Sequence, residues 1–407
     1  MLRPIHKSST VRRIAAVAAG LAAAAGTITP AYASGAIQCG DVITADVTLG
    51  ADLFCSGDGL IVGAGDLIID LHGHTIHGSG TGFGIRYADA SAPHVDADVV
   101  NGTITGFTVG IGLAEGDTDV LIKYVRLIGN GSGITGSLLN GVEVRGGEIR
   151  GGPVAMAADA STGVVIASVR IADGVVSPFN GSQSWVIKGC VFTNASIDFA
   201  EANNSIVRNS RLTGTPIVVF QSNRITLLDN DLVDSPVRYS SGFGGVIRGN
   251  RLSGSLGGVN FDQSSGTTTV QVERNTFRGT RIGVQVVRDA LVEIEDMTVS
   301  YNVFDGNLAA GVFVQALAGP SGPFTIHDNK LTRNGFASGG LTDRNGRPVD
   351  DGLHTALPVG SGVVVARNDT AANADFGIEA LPVGSVVDGG GNRSTANPSG
   401  CAGVVCI

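Results

Sequence analysis

Candidate catalytic side chains lie in the middle of the chain, where they recur at nearly equal intervals. Arg238 is a candidate base or neutralising cation, and Asp198 and Asp262 are candidate acids or Ca²⁺ ligands. β-Elimination on a uronic acid needs a cation to neutralise the substrate carboxylate and a base to remove the neighbouring proton. The three residues therefore predict a catalytic set suited to an acidic sugar polymer.

Polar and aromatic residues that could hold such a polymer lie in the same part of the chain. They are Glu201, Phe220, Asn260, Gln285, Arg288 and Phe313. Amide and guanidinium groups donate hydrogen bonds to hydroxyls and carboxylates, and phenylalanine rings offer flat apolar surfaces. From residue 238 to residue 288, seven arginines stand against two acids in a chain of net charge −9. This local excess attracts polyanions if the arginines share one face, whereas arginines on different faces are simply solvated.

A short phrase repeats through the chain and gives these residues equivalent positions. Each copy has an aliphatic residue three positions before an Asn and a large apolar residue two positions after it. The clearest copies are centred on Asn230, Asn250, Asn275, Asn302 and Asn329, at intervals of 20, 25, 27 and 27 residues. The same apolar positions continue back to position 74 and forward to position 368, which makes thirteen turns. Self-similarity at this period indicates an array of stacked units.

Short alternating segments lie between the copies of the phrase. Gly258–Phe261 and Gly283–Val286 are examples in which a glycine precedes apolar residues that alternate with others. A period of two predicts a short strand with one buried face. Strands this short must pair with the turns above and below, so we expect an all-β, single-domain parallel β-helix (a β-solenoid) of 12–13 coils with three short strands per coil. At about 4.8 Å per turn, its length would be on the order of 60 Å.

The two apolar columns beside an asparagine ladder resemble the right-handed parallel β-helix proteins, the pectate-lyase-like superfamily, over residues 40–392. The resemblance implies a right-handed coil, in keeping with the general preference for right-handed crossovers. It also implies a secreted bacterial protein that acts on or binds extracellular polysaccharide, with the outward row of residues as the binding face. This scaffold carries lyases, hydrolases, epimerases and adhesins, so the fold does not choose among them.

Particular enzyme motifs of that superfamily are incomplete in this chain. Polygalacturonase-like hydrolases need four motifs in order, and only the pair Asp350–Asp351 is present. The epimerase-like phrase Asp-Pro-His-Asp has only a partial counterpart at 93–96. Two hypotheses therefore remain: a polysaccharide-lyase-like enzyme, or a non-catalytic carbohydrate- or surface-binding module or adhesive structural rod.

The N-terminus has the pattern of a secretion signal. Four basic residues precede an apolar run from Ile14 to Ala25, and a small-x-small pattern ends at Ala33. The run is too short to cross a bilayer. We therefore expect a signal peptide cleaved between Ala33 and Ser34 and a secreted product. Removing four cations would change the formal net charge from −9 to −13.

The cysteines agree with export to an oxidising compartment. We expect disulfides Cys39–Cys55 and Cys401–Cys406, which would fasten the two ends of the solenoid. Cys190 occupies a ladder position and is expected to be a small buried thiol. The chain thus divides into a signal peptide (1–33), an N-terminal capping segment with a disulfide (34–66), the parallel β-helix (67–392) and a disulfide-closed tail (393–407).

Metal ions and partners are less directly indicated. Three histidines between residues 72 and 77 suggest a metal site, but strand alternation favours a polar corner. A wide turn at 335–361 contains Asp343, Asp350, Asp351 and His354, which predict either a solvated loop or a Ca²⁺ site or groove. Ca²⁺ is the one cofactor suggested. We expect a monomer whose partner is extracellular polysaccharide. The acidic net charge argues against binding to nucleic acid. The lack of a second apolar segment argues against a membrane span in the mature chain.

Overall fold

The computed structural model describes residues 36–88, 93–261, 267–288, 294 and 296–407. The predicted signal peptide lies outside the described residues. Residues 37–407 form one compact unit. Among the residues that the structure describes, none belongs to a helix with the length and apolarity needed to cross a membrane.

The described chain is built from short strands joined by corners. The first strands are β1 Asp41–Ile43, β2 Val47–Thr48, β3 Leu53–Phe54, β4 Leu60–Val62, β5 Leu67–Asp70, β6 Thr75–His77, β7 Phe83–Tyr87, β8 Ala97–Thr105, β9 Val109–Gly112, β10 Leu121–Ile128, β11 Ser132–Ser137, β12 Glu143–Arg145, β13 Glu148–Arg150, β14 Val154–Asp159, β15 Val165–Ala167 and β16 Arg170–Ala172. The middle strands are β17 Val175–Phe179, β18 Val186–Lys188, β19 Val191–Thr193, β20 Ser196–Ala200, β21 Ile206–Arg208, β22 Arg211–Thr213, β23 Ile217–Phe220, β24 Thr226–Leu228, β25 Asp231–Val233, β26 Val237–Tyr239, β27 Gly242–Arg248, β28 Arg251–Ser253, β29 Val259–Phe261, β30 Thr267–Glu273 and β31 Thr276–Arg278. The last strands are β32 Ile282–Val287, β33 Met297–Ser300, β34 Val303–Asp305, β35 Ala310–Gln315, β36 Phe324–His327, β37 Lys330–Thr332, β38 Leu353–Ala356, β39 Val364–Ala366, β40 Asp369–Ala371, β41 Phe376–Ala380, β42 Val387–Gly390, β43 Arg393–Thr395 and β44 Gly400–Ala402.

Every strand pairs in parallel with the equivalent strand one turn away. Sixteen strands form one sheet, here called sheet 1, in the order β1-β4-β7-β9-β11-β14-β17-β20-β23-β26-β29-β32-β35-β38-β41-β44. The other strands form two further stacks, sheets 2 and 3, which meet in the long strands β8 and β10. Sheet 2 contains β21, β24 and β27, and sheet 3 contains β22, β25 and β28. The predicted all-β parallel solenoid with three strands per turn is confirmed.

The solenoid extends beyond the predicted bounds at both ends. The predicted capping segment supplies β1 and β4 to sheet 1, and the predicted tail supplies β44. These three strands account for the difference between the thirteen turns counted from sequence and the sixteen rungs of sheet 1. Both predicted disulfides are formed, with Cα–Cα distances of 5.5 Å for Cys39–Cys55 and 6.1 Å for Cys401–Cys406.

Stacked aliphatic and aromatic columns fill the interior. In sheet 1 the inward residues include Ile197, Ile217, Val237, Val259 and Val284, all with no exposed surface. Burying one such side chain contributes roughly 1.5–3 kcal/mol. The alternation of inward and outward residues therefore fixes the register, since a slip by one position would turn these side chains to solvent.

A ladder of asparagine amides joins consecutive turns at the corner between sheets 2 and 3. Each Nδ2 donates to the Oδ1 of the next asparagine at 2.9–3.2 Å, through Asn230, Asn250, Asn275, Asn302, Asn329, Asn368 and Asn392. Each Oδ1 also accepts the backbone N–H of the preceding asparagine. The ladder thus satisfies buried backbone groups that the corners leave without a strand partner.

The residue before each ladder asparagine has a left-handed backbone. Arg274, Tyr301, Asp328 and Arg367 have φ between 51° and 56°. This conformation disfavours non-glycine residues by roughly 1–2 kcal/mol. The amide hydrogen bonds of the ladder offset that strain, and together they set the corner.

A second ladder lies five residues after the first and was not predicted. Thr280, Asn307, Asn334, Asn373 and Asn397 form it with side-chain hydrogen bonds of 2.6–2.9 Å. Its members lie at the corner that leads back towards sheet 1. The sequence contains the signal, because an Asn follows each of the last four first-ladder asparagines by five positions.

We predict that Asn302→Ala destabilises the protein by at least about 2 kcal/mol, because it leaves the buried N–H of Asn275 without an acceptor. It also removes the donor to the carbonyl of Val272. Thermal unfolding followed by circular dichroism measures the effect. The control is Asn345→Ala, which changes an exposed side chain. Equal unfolding midpoints for the two variants would contradict a structural role for the ladder.

Candidate functional site

One outward residue from each of eight consecutive rungs of sheet 1 falls in a single column. The column, here called the outer column, runs through Asp198, Val218, Arg238, Asn260, Gln285, Phe313, His354 and Glu379. Neighbouring members are one rung apart, about 4.8 Å. Four residues proposed from the sequence, Asp198, Arg238, Asn260 and Gln285, therefore do lie in line on one face.

The first half of the outer column is open to solvent. Arg238 is exposed, and Asn260 and Gln285 are half-buried. Arg238 makes no hydrogen bond or ion pair to a residue that the structure describes. Phe220 lies at the end of β23 and is 43% exposed, beside this row. The open half thus presents a cation, two amides and an aromatic ring to solvent.

Asp198 carries an unfavourably placed carboxylate. Its Oδ1 is buried and has no hydrogen-bond partner among the described residues. Burial raises the pKa of Asp198, and a hydrogen bond from Ser196 offsets only part of that effect. Asp198 is two rungs from Arg238, about 10 Å, so the two predicted catalytic residues do not converge on one reacting atom. Asp262, the third, lies outside the described residues.

Two residues predicted to bind substrate are buried. Phe313 is 3% exposed because the wide turn covers it, so the prediction of an exposed aromatic platform there is wrong. Arg288 is 5% exposed and offers little surface to a ligand. Glu201 is exposed at the corner after β20, where its φ is 54°.

The local excess of arginines is not gathered on this face. Arg248 pairs with Glu273 at 2.6 Å between Nε and Oε1, and both belong to sheet 2. Arg278 of sheet 3 lies 3.4 Å from Asp305. Arg274 stands over the ring of Tyr301. Among the described residues, Arg238 is the one of the seven arginines that the strand register places in the outer column. The arginines therefore lie on different faces of the solenoid, which was the second of the two alternatives.

The wide turn folds back over the second half of the outer column, so the prediction of a solvated loop is wrong. Val349 has no exposed surface and packs with Ile282, Ala310 and Phe313, while Leu341 packs against their edge. A short antiparallel bridge between Thr342 and Pro348 closes the turn on itself. Apolar residues at both ends of the turn thus fasten it to sheet 1.

Beneath this turn lies a buried cluster of charged side chains. His354 Nδ1 is 2.6 Å from Asp351 Oδ2 and 2.9 Å from Glu379 Oε2. Its Nε2 lies 3.2 Å from Asp343 Oδ2. Arg347 reaches Asp343 at 2.6 Å and Glu379 at 2.9 Å. The side chains of Asp343, Asp351 and His354 have no exposed surface.

The electrostatics of the cluster follow from this geometry. Burial lowers the pKa of His354, but hydrogen bonds to Asp351 and Glu379 outweigh that effect and raise it to about 9. Burial raises the pKa of Asp351 to about 7 despite the adjacent imidazole. The pKa of Glu379 is lowered, because its contacts with His354 and Arg347 outweigh burial. The sequence pointed to Asp343, Asp351 and His354, but Glu379 and Arg347 were not predicted.

A polar groove of about 380 Å³ follows the corner beyond the outer column. It is lined by Gln183, Asn203, Asn204, Asn223, Arg224 and Phe243. Asn223 follows Phe220 by three residues, and the ring of Phe243 is 60% exposed. These residues were not predicted. Parallel backbone bridges stack Gln183, Asn203 and Asn223 at equivalent corners of consecutive turns.

Comparison with known proteins supports the fold. Residues 200–351 match the family described as "Right handed beta helix region", which agrees with the expected right-handed parallel β-helix. No curated protein matches.

Several solved structures resemble the chain. PfbA, a surface adhesin of Streptococcus pneumoniae, is 12% identical, with a TM-score of 0.44 over 75% of this chain and 80% of that one. A mutant of the periplasmic alginate epimerase AlgG is 12% identical, with a TM-score of 0.40 over 89% and 78%. The catalytic unit of a thermostable α-1,3-glucanase from Streptomyces thermodiastaticus is 14% identical, with a TM-score of 0.32 over 89% and 63%. The neighbours thus include polysaccharide-acting enzymes and an adhesin, and the likeness concerns the fold.

We predict that Asp198→Asn stabilises the protein at pH 7 by about 1 kcal/mol, because it removes a buried charge without a full set of partners. The raised pKa of Asp198 means that its ionised form opposes folding above the folded-state pKa. The difference between variant and wild type should therefore disappear as pH falls below about 4, where the carboxyl is protonated in both states. Thermal midpoints across this pH range measure it.

The matched control is Asp369→Asn, which changes an exposed carboxylate on β40. Its midpoint should follow that of the wild type at every pH. A loss of stability in Asp198→Asn at neutral pH would mean that Asp198 is favourably bonded in the folded protein.

Proposed function

We propose that this is a secreted protein that binds extracellular polysaccharide along the open half of the outer column. One observation carries the proposal. The exposed Arg238 and the half-buried Asn260 and Gln285 stand on successive rungs, with the exposed ring of Phe220 beside them. A rung spacing of about 4.8 Å approximates the length of one sugar unit. A chain of sugars lying along the column would therefore meet one side chain per unit.

The chemistry of these side chains suits an acidic polysaccharide. The amides of Asn260 and Gln285 donate and accept hydrogen bonds, as sugar hydroxyls do. The guanidinium of Arg238 would form a charge-assisted pair with a uronic-acid carboxylate. Phe220 would cover the apolar face of a ring. The groove around Asn203, Asn223 and Phe243 offers the same kinds of groups and would extend the surface around the corner.

The positions of the charged residues favour binding over β-elimination. Elimination needs a base and a neutralising cation at one sugar unit. Asp198 and Arg238 are two rungs apart, and the buried cluster that does bring acids and bases together lies beneath the wide turn. We therefore propose binding as the function. The experiment below would also detect β-elimination by Arg238, with Asp198 and Asp262 as Ca²⁺ ligands.

Secretion is part of the proposal. Two disulfides fasten the ends of the solenoid, and such bonds persist in oxidising compartments. The signal peptide inferred at residues 1–33 would direct export. Analysis of the N-terminus of the protein recovered from a secreting host tests cleavage between Ala33 and Ser34.

We predict that Arg238→Ala weakens binding to polygalacturonate or alginate about tenfold, which is the loss of one charge-assisted hydrogen bond. Added salt should weaken binding by the wild type more than binding by the variant, because salt screens exposed charges. Affinity electrophoresis in gels containing the polymer measures both effects. Arg251→Ala is the control, because it removes an exposed arginine from sheet 3.

The same preparations separate the other possibilities. Loss of binding in Phe243→Ala with full binding in Arg238→Ala would transfer the site to the corner groove. Absence of binding to every acidic and neutral polymer would overturn the proposal and leave a structural rod. A rise in the ultraviolet absorbance of unsaturated sugar ends, dependent on Arg238 and measured with and without Ca²⁺, would establish a lyase.

A further inference from the structure

The buried cluster beneath the wide turn contains an imidazole and carboxylates that could coordinate a metal ion. The proposed polysaccharide binding along the open half of the outer column does not involve them. We propose that His354, Asp351 and Glu379 form a site for a first-row divalent metal ion such as Zn²⁺, which fastens the wide turn over the end of the outer column. The ligating atoms are His354 Nδ1, Asp351 Oδ2 and Glu379 Oε2. They lie within 4.8 Å of one another.

The distances within this set agree with one metal ion shared by three ligands. Zn²⁺ binds imidazole nitrogen and carboxylate oxygen at about 2.1 Å, so neighbouring ligand atoms on one ion are about 3 Å apart or slightly more. Nδ1 of His354 is 2.6 Å from Asp351 Oδ2 and 2.9 Å from Glu379 Oε2. Tetrahedral ligand atoms at that bond length are about 3.4 Å apart, so these two separations would widen by about 0.5–0.8 Å to admit the ion. The three residues come from the end of the wide turn, from β38 and from β41.

Each ligand has a second partner that orients it. His354 Nε2 lies 3.2 Å from Asp343 Oδ2, the arrangement in which a metal-bound imidazole donates its other N–H to a carboxylate. The backbone N–H of Phe376 donates to Asp351 Oδ1 at 2.9 Å. Arg347 donates to Glu379 Oε1 at 2.9 Å. The oxygen of Glu379 that faces His354 thus remains available to the ion.

The charge of the cluster supplies an independent reason for a cation. Asp343, Asp351 and Glu379 contribute three negative charges, and Arg347 contributes one positive charge. With a charged imidazole the metal-free cluster has a net charge of about −1. When a divalent ion takes the place of the imidazole proton, the three carboxylates, Arg347 and the ion sum to zero, and an isolated buried charge is strongly unfavourable. Asp350 and Asp375 are half-buried beside Asp351 and would provide a route for the ion from solvent.

The donor set selects the kind of metal ion. Ca²⁺ takes six to eight oxygen ligands, whereas an imidazole nitrogen with two carboxylates suits Zn²⁺ and its first-row neighbours. The sequence allowed a Ca²⁺ site as one alternative for this turn, and the proposal assigns a transition metal in its place. The consequence for the molecule is mechanical: the ion would join the turn to two strands of sheet 1 above Phe313.

We predict that the purified protein, freed of metal by dialysis against a chelator, binds one Zn²⁺ per chain in calorimetric titration. Asp351→Asn and Glu379→Gln keep the shape of the ligands and should weaken Zn²⁺ binding by more than about 100-fold. Asp343→Asn should weaken it about 10–100-fold, because it removes only the partner of the imidazole. His74→Ala, which removes a half-exposed histidine 3.2 Å from Asp52, is the control and should bind like the wild type.

A second readout follows the turn itself. Zn²⁺ should protect the wild type from tryptic cleavage at the exposed Arg344, and it should give no protection to Glu379→Gln. X-ray absorption of the zinc-loaded wild type should show nitrogen and oxygen ligands that include one imidazole, and this measurement needs no variant.

Failure of the wild type to bind Zn²⁺, or equal binding by Asp351→Asn and Glu379→Gln, would overturn the proposal. The cluster would then be a set of hydrogen bonds around a charged imidazole. Because the titration contains no polysaccharide, its outcome is independent of the glycan-binding proposal.

Discussion

The pairing of each turn with the next is the interaction on which the whole structure depends. Within the described residues, no strand of sheet 1 is longer than six residues, and none pairs with another strand of its own turn. Strand pairing alone would leave backbone N–H groups at the corners without hydrogen-bond partners. The two ladders of buried asparagines supply those partners, from Asn230 to Asn392 and from Thr280 to Asn397. An unpaired buried amide is unfavourable by about 1–3 kcal/mol, so each corner depends on the side chain of the turn above it.

The same pairing creates the candidate site. Residues 20 or more positions apart become neighbours because consecutive strands are in register, and a change in the length of a corner leaves the register of the strands intact. Asp198 and Glu379 belong to one column although 181 residues separate them in the sequence. A solenoid of this kind therefore forms a continuous surface from single residues, with a constant repeat along its length.

One enlarged turn divides this surface into two parts with different chemistry. Before the turn, the outer column is open and carries Arg238, Asn260 and Gln285. Beneath the turn, Phe313 of the preceding rung and His354 of the following rung are covered, and Asp351 of the turn lies close to Glu379 of the next strand. Burial in the second part raises the pKa of Asp351, whereas contacts with His354 and Arg347 lower that of Glu379. Two carboxylates close to one imidazole thus differ because their surroundings differ, as acids in functional sites often do.

The solenoid, its inward columns and its disulfides could be predicted from the sequence, because these features depend on the local period and on residues with one dominant role. A period of two places Ile197 and Val237 inside, and an Asn three positions after an aliphatic residue fixes the corner. Outward positions could also be assigned from the sequence where consecutive strands pair without a register shift. Four of them, Asp198, Arg238, Asn260 and Gln285, were therefore placed correctly in one row.

Which outward residues are accessible, and which charged groups come into contact, became clear from the folded chain alone. The sequence of the wide turn is polar at its centre and indicated a solvated loop, yet Val349 and Leu341 draw it onto sheet 1 and bury Phe313. Nothing near Asp351 in the sequence indicates that Glu379, on the following strand of sheet 1, completes its cluster. Burial and convergence depend on where a turn folds relative to a sheet, and that is set by long-range packing, which a local pattern does not contain.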